Sequence, residues 1–365
     1  MSFDKGNVSF RMFYLPPGLQ PEVITKFAAH AAPPIETLGA NTIAGWCGPR
    51  HLLDTDLSNG NCVFGGYLFA SLMKAERKIP EAMLRAHCQL EELAALRARQ
   101  ASVLPRQVRA EIRDEVVSRL LPTMPPTMTG IPVAVHFRRD RILAGSMSDS
   151  QIDALTLGFR QAAGIYPLPL TAESAAIRRC KIKASELAPT VFSPDAEIDA
   201  GDEIVLGMEF LTWLWFWWEV QGGTFCVVDS TPYGLMLEGP VTFYREGKGT
   251  HEALFRNGLP LNSREAGTAL LTGKLIRRVR LTIAQGERMW TATIDCDFGV
   301  RGLRLPKCEQ LGREEILMER MQEIETFIEA FLCLYDRFVL ERANSLLWAK
   351  TLAEIHAWVS RHAQC

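Results

Sequence analysis

Between Glu111 and Leu170 the chain leaves its backbone few choices. Val116, Leu120 and Leu121 share one face of a helix, while Arg113, Asp114 and Arg119 fall elsewhere on it. Pro122, Pro125 and Pro126 follow, and proline both lacks the amide a helix needs and clashes with the preceding turn, so that helix ends there. Val133, Val135 and Phe137 then alternate with Ala134 and His136. Arg138 to Asp140 makes a turn, and Ile142 to Ala144 can return as a partner strand. A second helix and a Leu-Pro strand close the run. Charged helix, proline break, strand pair, helix and strand together predict a mixed α+β architecture.

With 365 residues, 47% of them hydrophobic, the chain can bury a sizeable core. Nine cysteines stand at 47, 62, 88, 180, 226, 296, 308, 333 and 365, an odd number without a Cys-x-x-Cys pair. No secretory leader is read at the start, so the expectation is reduced, mostly buried thiols in a cytoplasmic protein.

A formal net charge of -2 excludes an indiscriminately basic coat protein. It does not exclude a polyanion binder, because phosphate binding depends on the field along one surface and not on the total. Basic residues do cluster. Lys274, Arg277, Arg278 and Arg280 occur without an acid among them, and Val279, Leu281 and Ile283 alternate with Arg278, Arg280 and Thr282, predicting a strand with one apolar and one basic face. A similar alternation sets Arg179, Lys181 and Lys183 against Cys180 and Ile182, and Arg301, Arg304 and Lys307 punctuate a third strand-like run. Each stretch has a bland alternative, a solvated or edge-protecting face. Three of them together favour contact with nucleic acid. Lys74, Arg77 and Lys78, just before Pro80, sit where a strand meets a helix and could converge on an anion.

From Glu81 to Leu121 basic and acidic residues interleave, as expected of exposed helices with i,i+4 pairs. The run Phe210 to Trp218 holds four of the eight tryptophans. It is too short to cross a bilayer, which takes about 20 apolar residues. Base stacking and a dimer contact compete there with burial, and an unbroken apolar run with no polar face favours core or subunit interface for Trp213, Trp215, Trp217 and Trp218. Leu317, Met321, Ile324, Ile328, Phe331, Tyr335 and Phe338 repeat at helical spacing and draw one apolar seam, a packing or self-association element. Glu314, Glu319, Glu323, Glu325 and Glu329 are expected to make that helix's outer surface acidic. Residues 344–365 predict one more amphipathic helix.

Phosphate-loop, serine-elbow and zinc-protease motifs do not occur, and the seven histidines show no metal-ligand spacing. Asp295-Cys-Asp297 is the one carboxylate pair that suggests a two-metal nuclease, whose cations lie about 3.5–4 Å apart. Its place before Phe298-Gly299 reads instead as a turn. No catalytic residue, metal or cofactor is expected.

The 111–170 string resembles the bacterial recombination-associated RdgC family. So do Lys74-Ala-Glu-Arg-Lys-Ile-Pro80, Leu261-Asn-Ser-Arg-Glu-Ala266, Gly273-Lys274-Leu-Ile-Arg277, Leu281 and the stretch Arg301 to Lys307, in the family's order across most of residues 8–342. The resemblance implies an elongated, curved monomer of sheet-plus-helix lobes that closes as a ring-like homodimer. Such a dimer binds double- and single-stranded DNA without sequence preference and limits RecA access, in the cytoplasm at the nucleoid and away from membranes. It divides the chain into an N-terminal part (1–72), a charged helical arm (73–130), a strand-pair and helix lobe (131–176), an inserted loop (177–206), a second lobe with basic strands (207–310) and C-terminal helices (311–365). Thr123-Met124-Pro125 stands where the family often carries an aromatic residue, and 344–365 extends past its usual end. A metal-dependent exonuclease and a recombination scaffold that never touches DNA remain the alternatives.

Overall fold

The computed structural model describes residues 3–16, 21–196, 205–227, 231–245, 252–256, 261, 263–307 and 312–364. The chain divides into two units. One holds Met1–Leu15, Arg141–Asp149 and Pro167–Cys365, the other Pro16–Asp140 and Ser150–Tyr166.

The larger unit is built on an antiparallel sheet. Strands β1 (Val8–Tyr14), β6 (Arg141–Ala144), β9 (Tyr233–Tyr244), β10 (Glu252–Phe255), β11 (Leu275–Gln285), β12 (Arg288–Asp295) and β13 (Val300–Arg304) lie in the order β10-β9-β11-β12-β13-β1-β6. The short β7 (Leu168–Pro169) pairs with β1, and β8 (Thr224–Phe225) with β9. Val279, Leu281 and Ile283 of β11 are fully buried, as their alternation with polar residues requires.

Their cover is α7 (Leu206–Gln221), the helix that carries the tryptophan run. A helix that is apolar all round must be buried all round. Trp213, Trp215 and Trp217 are accordingly sealed in the core, and Trp218 alone of the four is half-exposed. Gly207 permits the close approach: a Cβ there would lie 1.9 Å from the carbonyl oxygen of Cys296. Thr212 fixes the helix to the start of the interior strand β11 by accepting the Ile276 amide at 2.9 Å. Helix α9 (Arg313–Ala343) supplies Ile324, Ile328, Phe331, Tyr335 and Phe338, all fully buried, and Phe210 packs edge-on against Phe331 and Tyr335. The last element, α10 (Ser345–Gln364), also lies in this unit.

Of the acidic positions on α9, Glu314 is exposed as expected, but Glu323, Glu325 and Glu329 do not form an outer surface. Glu325 is buried and bonded to the Arg141 guanidinium at 2.6 Å, which also donates to Glu329 at 2.8 Å, while Glu323 receives Arg288 at 2.7 Å. A 31-residue helix lodged in the core meets neighbours on more than one side, so its carboxylates face arginines from the sheet strands. The strand expected at 179–183 is also absent. Ala176–Cys180 is a π-helical turn continuing α6 (Ala172–Ala175), Lys181 has φ +62°, and Ala184–Glu186 is a 3-10 turn. Of the inserted stretch, 197–204 lies outside the described residues, as do Cys308 and Cys365.

In the smaller unit β4 (Tyr67–Arg77) pairs along its whole length with β5 (Pro126–His136), and with β2 (Ile43–Cys47) and β3 (Val63–Phe64) on its other edge. Phe137 belongs to the 3-10 turn that follows β5, so the strand is one residue shorter than the alternation suggests. Phe27 of α1 (Ile24–Ala28) stacks on Trp46 at 4.3 Å, and Phe159 of α5 (Asp149–Ala163) meets both edge-on. The long charged region is two helices, α3 (Glu81–Arg99) and α4 (Arg106–Leu120). Gln100 caps the first in the left-handed conformation, Pro105 precedes the second, and Leu84, Cys88 and Val116 form their small core. Its ion pair Arg119–Glu91 joins the two helices at 2.8 Å rather than successive turns of one.

Candidate nucleic-acid interface

Three of the basic residues singled out in the sequence come together on the solvent side of the larger unit's sheet. Arg280 lies across from Thr293 of β12, and Thr293 lies across from Arg301 of β13. Thr291, two residues along β12 on the same face, pairs with Arg304. Residues 301 and 304 are an odd number apart, so on a regular strand they would point to opposite faces. The register shift opposite Thr291 and Thr293, with Gly302 at φ +62°, adds one residue to β13 and returns Arg304 to the face of Arg301. A side chain other than glycine would adopt that backbone with strain. The Gly302 amide donates to the Ser9 hydroxyl of β1 at 2.8 Å, which holds the bulge to its neighbour.

Together Arg280, Arg301 and Arg304 line a cavity of about 430 Å³ with Thr291, Thr293 and Asn7, and no carboxylate is among its lining residues. Two acids pair with the arginines from outside it: Glu238 lies 3.7 Å from Arg280 and Asp295 lies 3.6 Å from Arg301. Arg280 and Arg301 stay 43% and 36% exposed at the side chain, so neither is withdrawn into its pair. The Nε–H groups of Arg278 and Arg301 are buried without an acceptor among the described residues. Guanidinium, hydroxyl and amide donors around one concavity are a donor set suited to phosphate oxygens.

A second bulge, between Ile276 and Arg278, sets Arg277 and Arg278 between the buried Ile276 and Val279. The Arg277 guanidinium lies 4.9 Å over the Tyr244 ring. Lys274 precedes β11 after the left-handed Gly273, and Lys307 is exposed beyond β13; neither is among the residues lining the cavity.

Asp295 and Asp297 form a turn. Asp295 accepts the amides of Gly299 at 2.7 Å and Asp297 at 3.2 Å through one carboxylate oxygen, and its other oxygen faces Arg301. Burial and the charge of Asp295 push the Asp297 carboxyl up, with Arg11 and Arg277 opposing. Among the described residues no group of three or more His, Cys, Asp or Glu side chains is placed to hold a metal ion.

The other predicted anion contacts are engaged within the protein. Glu76 takes both Lys74, at 2.8 Å, and Lys78. Those two hydrogen bonds hold its carboxyl down at about 2. Arg77 donates to the backbone carbonyls of Leu38 and Met124, tying β4 to the segments beside it. Pro80 precedes α3 without a side-chain cap, and Glu81 adds an acid to its first turn. Arg179 grips Asp336 of α9 through Nε at 2.8 Å and Nη2 at 2.6 Å, Lys181 donates to the Arg178 carbonyl, and Lys183 faces Glu186 at 3.5 Å. These side chains serve local structure, and a spacing that suggested a basic strand edge is the geometry of a helix terminus. Trp213, Trp215, Trp217, Ile324, Ile328 and Phe331 are core residues.

Sequence reasoning missed the two bulges, which decide that Arg301 with Arg304, and Arg277 beside Arg278, stand where they do. Gly302 between basic residues in a strand was the available signal, since an isolated strand glycine often marks a bulge. Missed too was Arg141, whose single position in the sequence gave no hint of a buried partner 184 residues away.

No helix among the described residues is long and apolar enough to cross a membrane. No curated protein matches the chain. Residues 16–180 match a family model described as "Putative exonuclease, RdgC", a span that takes in the 111–170 string and the Lys74 to Pro80 stretch. The match ends before Leu261, Gly273 and the arginine-lined cavity. Over these residues, less than half of the chain, the protein is similar to the RdgC family.

Proposed function

We propose that the protein binds DNA without sequence preference and modulates homologous recombination by occupying the DNA and limiting RecA access to it. The observation that carries this reading is the convergence of Arg280, Arg301 and Arg304 on one acid-free concavity. Phosphate contacts of this kind position a protein on a polyanion without specifying bases, and the face offers no recognition helix for a groove. On this reading the protein works as a homodimer whose basic sheet faces turn toward the DNA, encircling or coating it, in the cytoplasm at the nucleoid. It acts without a catalytic step; one Asp295 oxygen accepts the Gly299 amide in the turn and the other faces Arg301 of β13.

The test is fluorescence anisotropy with labelled duplex and single-stranded oligonucleotides at low salt, comparing the native chain with Arg280→Gln/Arg301→Gln/Arg304→Gln. Comparable weakening on unrelated sequences supports the proposal; unchanged binding refutes it. The description of the matching family favours a second reading, metal-dependent exonuclease. Shortening of end-labelled DNA with Mg²⁺ or Mn²⁺, abolished by Asp295→Ala or Asp297→Ala, would establish that reading instead.

A further inference from the structure

The larger unit holds a cysteine pair that the DNA-binding reading does not use. Cys47, Cys62, Cys88 and Cys296 are buried, and Cys180 and Cys333 are half-buried. Cys226, directly after β8, is exposed. The Cys333 thiol, on the face of α9 toward that strand end, donates to the backbone carbonyl of Cys226 at 3.7 Å. The residues are 107 positions apart in sequence, so the fold itself brings them together.

We propose that Cys226 and Cys333 are a peroxide-oxidisable dithiol that closes to an intrachain disulfide, a modification site joining the end of β8 to α9. A disulfide tolerates Cα separations of about 4.4–6.8 Å. The Cys333 sulfur already rests 3.7 Å from its partner's main-chain oxygen, so rotation of the two side chains is what would bring sulfur to sulfur. The chemistry has a natural order. Cys226 is open to solvent, so its thiolate attacks one peroxide oxygen, the O–O bond breaks, and the other oxygen leaves as water after taking a proton, giving a sulfenic acid. The Cys333 sulfur then attacks the Cys226 sulfur. The S–S bond forms, the S–O bond breaks, and the sulfenic oxygen takes the Cys333 proton and departs as water. Two thiols lose two electrons between them, and one peroxide becomes two waters.

The surroundings of Cys333 suit the second role rather than the first. Burial and the nearby Asp336 carboxylate raise its pKa, Glu329 adds to this, and Arg179 and Arg337 oppose it. A thiol with a raised pKa reacts slowly with peroxide from bulk solvent, and its attack on a sulfenic acid, which also passes through the thiolate, is helped by that sulfur being delivered beside it. Cys180 is the competitor. Its thiol faces the same Asp336 carboxylate at 3.7 Å and is pushed up to about 11, but it is not the thiol seated on Cys226.

Hydrogen peroxide added to the full-length reduced protein, followed by alkylation, non-reducing digestion and mass spectrometry, tests the pairing. The expected product is a reducible peptide pair joining Cys226 to Cys333, lost in Cys226→Ser and in Cys333→Ser and retained in Cys180→Ser. Brief N-ethylmaleimide treatment of the native protein before peroxide keeps the test independent of variant folding: it should label Cys226 first and abolish the cross-link. Cys226 driven to sulfinic acid while Cys333 stays a thiol, or either residue joined to Cys180 or to any other cysteine, overturns the proposal. DNA binding by the reduced protein is read separately and does not bear on this outcome.

Discussion

Replacing Arg342 by methionine should unfold the larger unit far more readily at neutral than at acidic pH. Arg342 and Glu209 are 2% and 4% exposed, and the guanidinium Nε meets the carboxylate at 2.9 Å. The same guanidinium donates to the Ala188 carbonyl at 2.6 Å and lies 4.9 Å over the Trp348 ring, so one side chain joins α9 to α7, to the segment after the π turn and to α10. Removing one partner of a buried pair strands the other charge and costs about 3–5 kcal/mol. For a unit of this size that is a fall in Tm of roughly 6–20 °C. Burial already raises the Glu209 pKa, against the opposing pull of Arg342. A carboxyl held above its unfolded value stabilises the fold where it is protonated and costs stability as pH rises through and beyond that unfolded value. Arg342→Met takes away the opposing pull, so the penalty should be full at pH 7 and shrink toward the ordinary carboxylate range, where Glu209 is protonated in both states. Urea unfolding at several pH values measures this, and Arg342→Met/Glu209→Leu should recover most of the loss, since an apolar pair removes the stranded charge. A single variant within about 1 kcal/mol of the native chain at pH 7, or a penalty that does not change with pH, refutes the reasoning.

Two further outcomes test the core and the smaller unit. Trp213→Ala should cost about 3–5 kcal/mol in denaturant unfolding, because the side chain is fully buried between Phe210, Trp217 and Phe338, and a loss below about 1 kcal/mol would place the run outside the core. The Glu76 carboxyl should titrate by NMR near pH 2 and move back up toward 4.5 in Lys74→Ala/Lys78→Ala, since the two ammonium groups are what hold it down; an unmoved midpoint would remove them as the cause.

Sequence periodicity reached furthest where one physical demand dominated. An apolar run without a polar face could only be buried, and α7 is. The alternation Val279, Leu281, Ile283 could only be a half-buried strand, and β11 is. It failed where tertiary partners overrode local pattern. Glu323 and Glu325 looked like an acidic exterior because nothing near them in sequence reveals Arg288 and Arg141. Arg179, Lys181 and Lys183 alternated like a strand, but a π turn and the Asp336 carboxylate claimed them. At the candidate interface the residues were legible and their convergence was not. A one-residue bulge reverses every later side chain of a strand, and composition cannot tell on which side of it Arg304 falls.

The central claim is that three arginines on the sheet face neutralise nucleic-acid phosphates, and the salt dependence of duplex binding tests it most directly. Each neutralised phosphate contributes a slope of about -0.9 to log K against log salt. The native chain should bind with a steep linear slope, and Arg280→Gln/Arg301→Gln/Arg304→Gln should flatten it by about 2.7. Equal slopes for the two proteins, or binding indifferent to salt, would contradict the account.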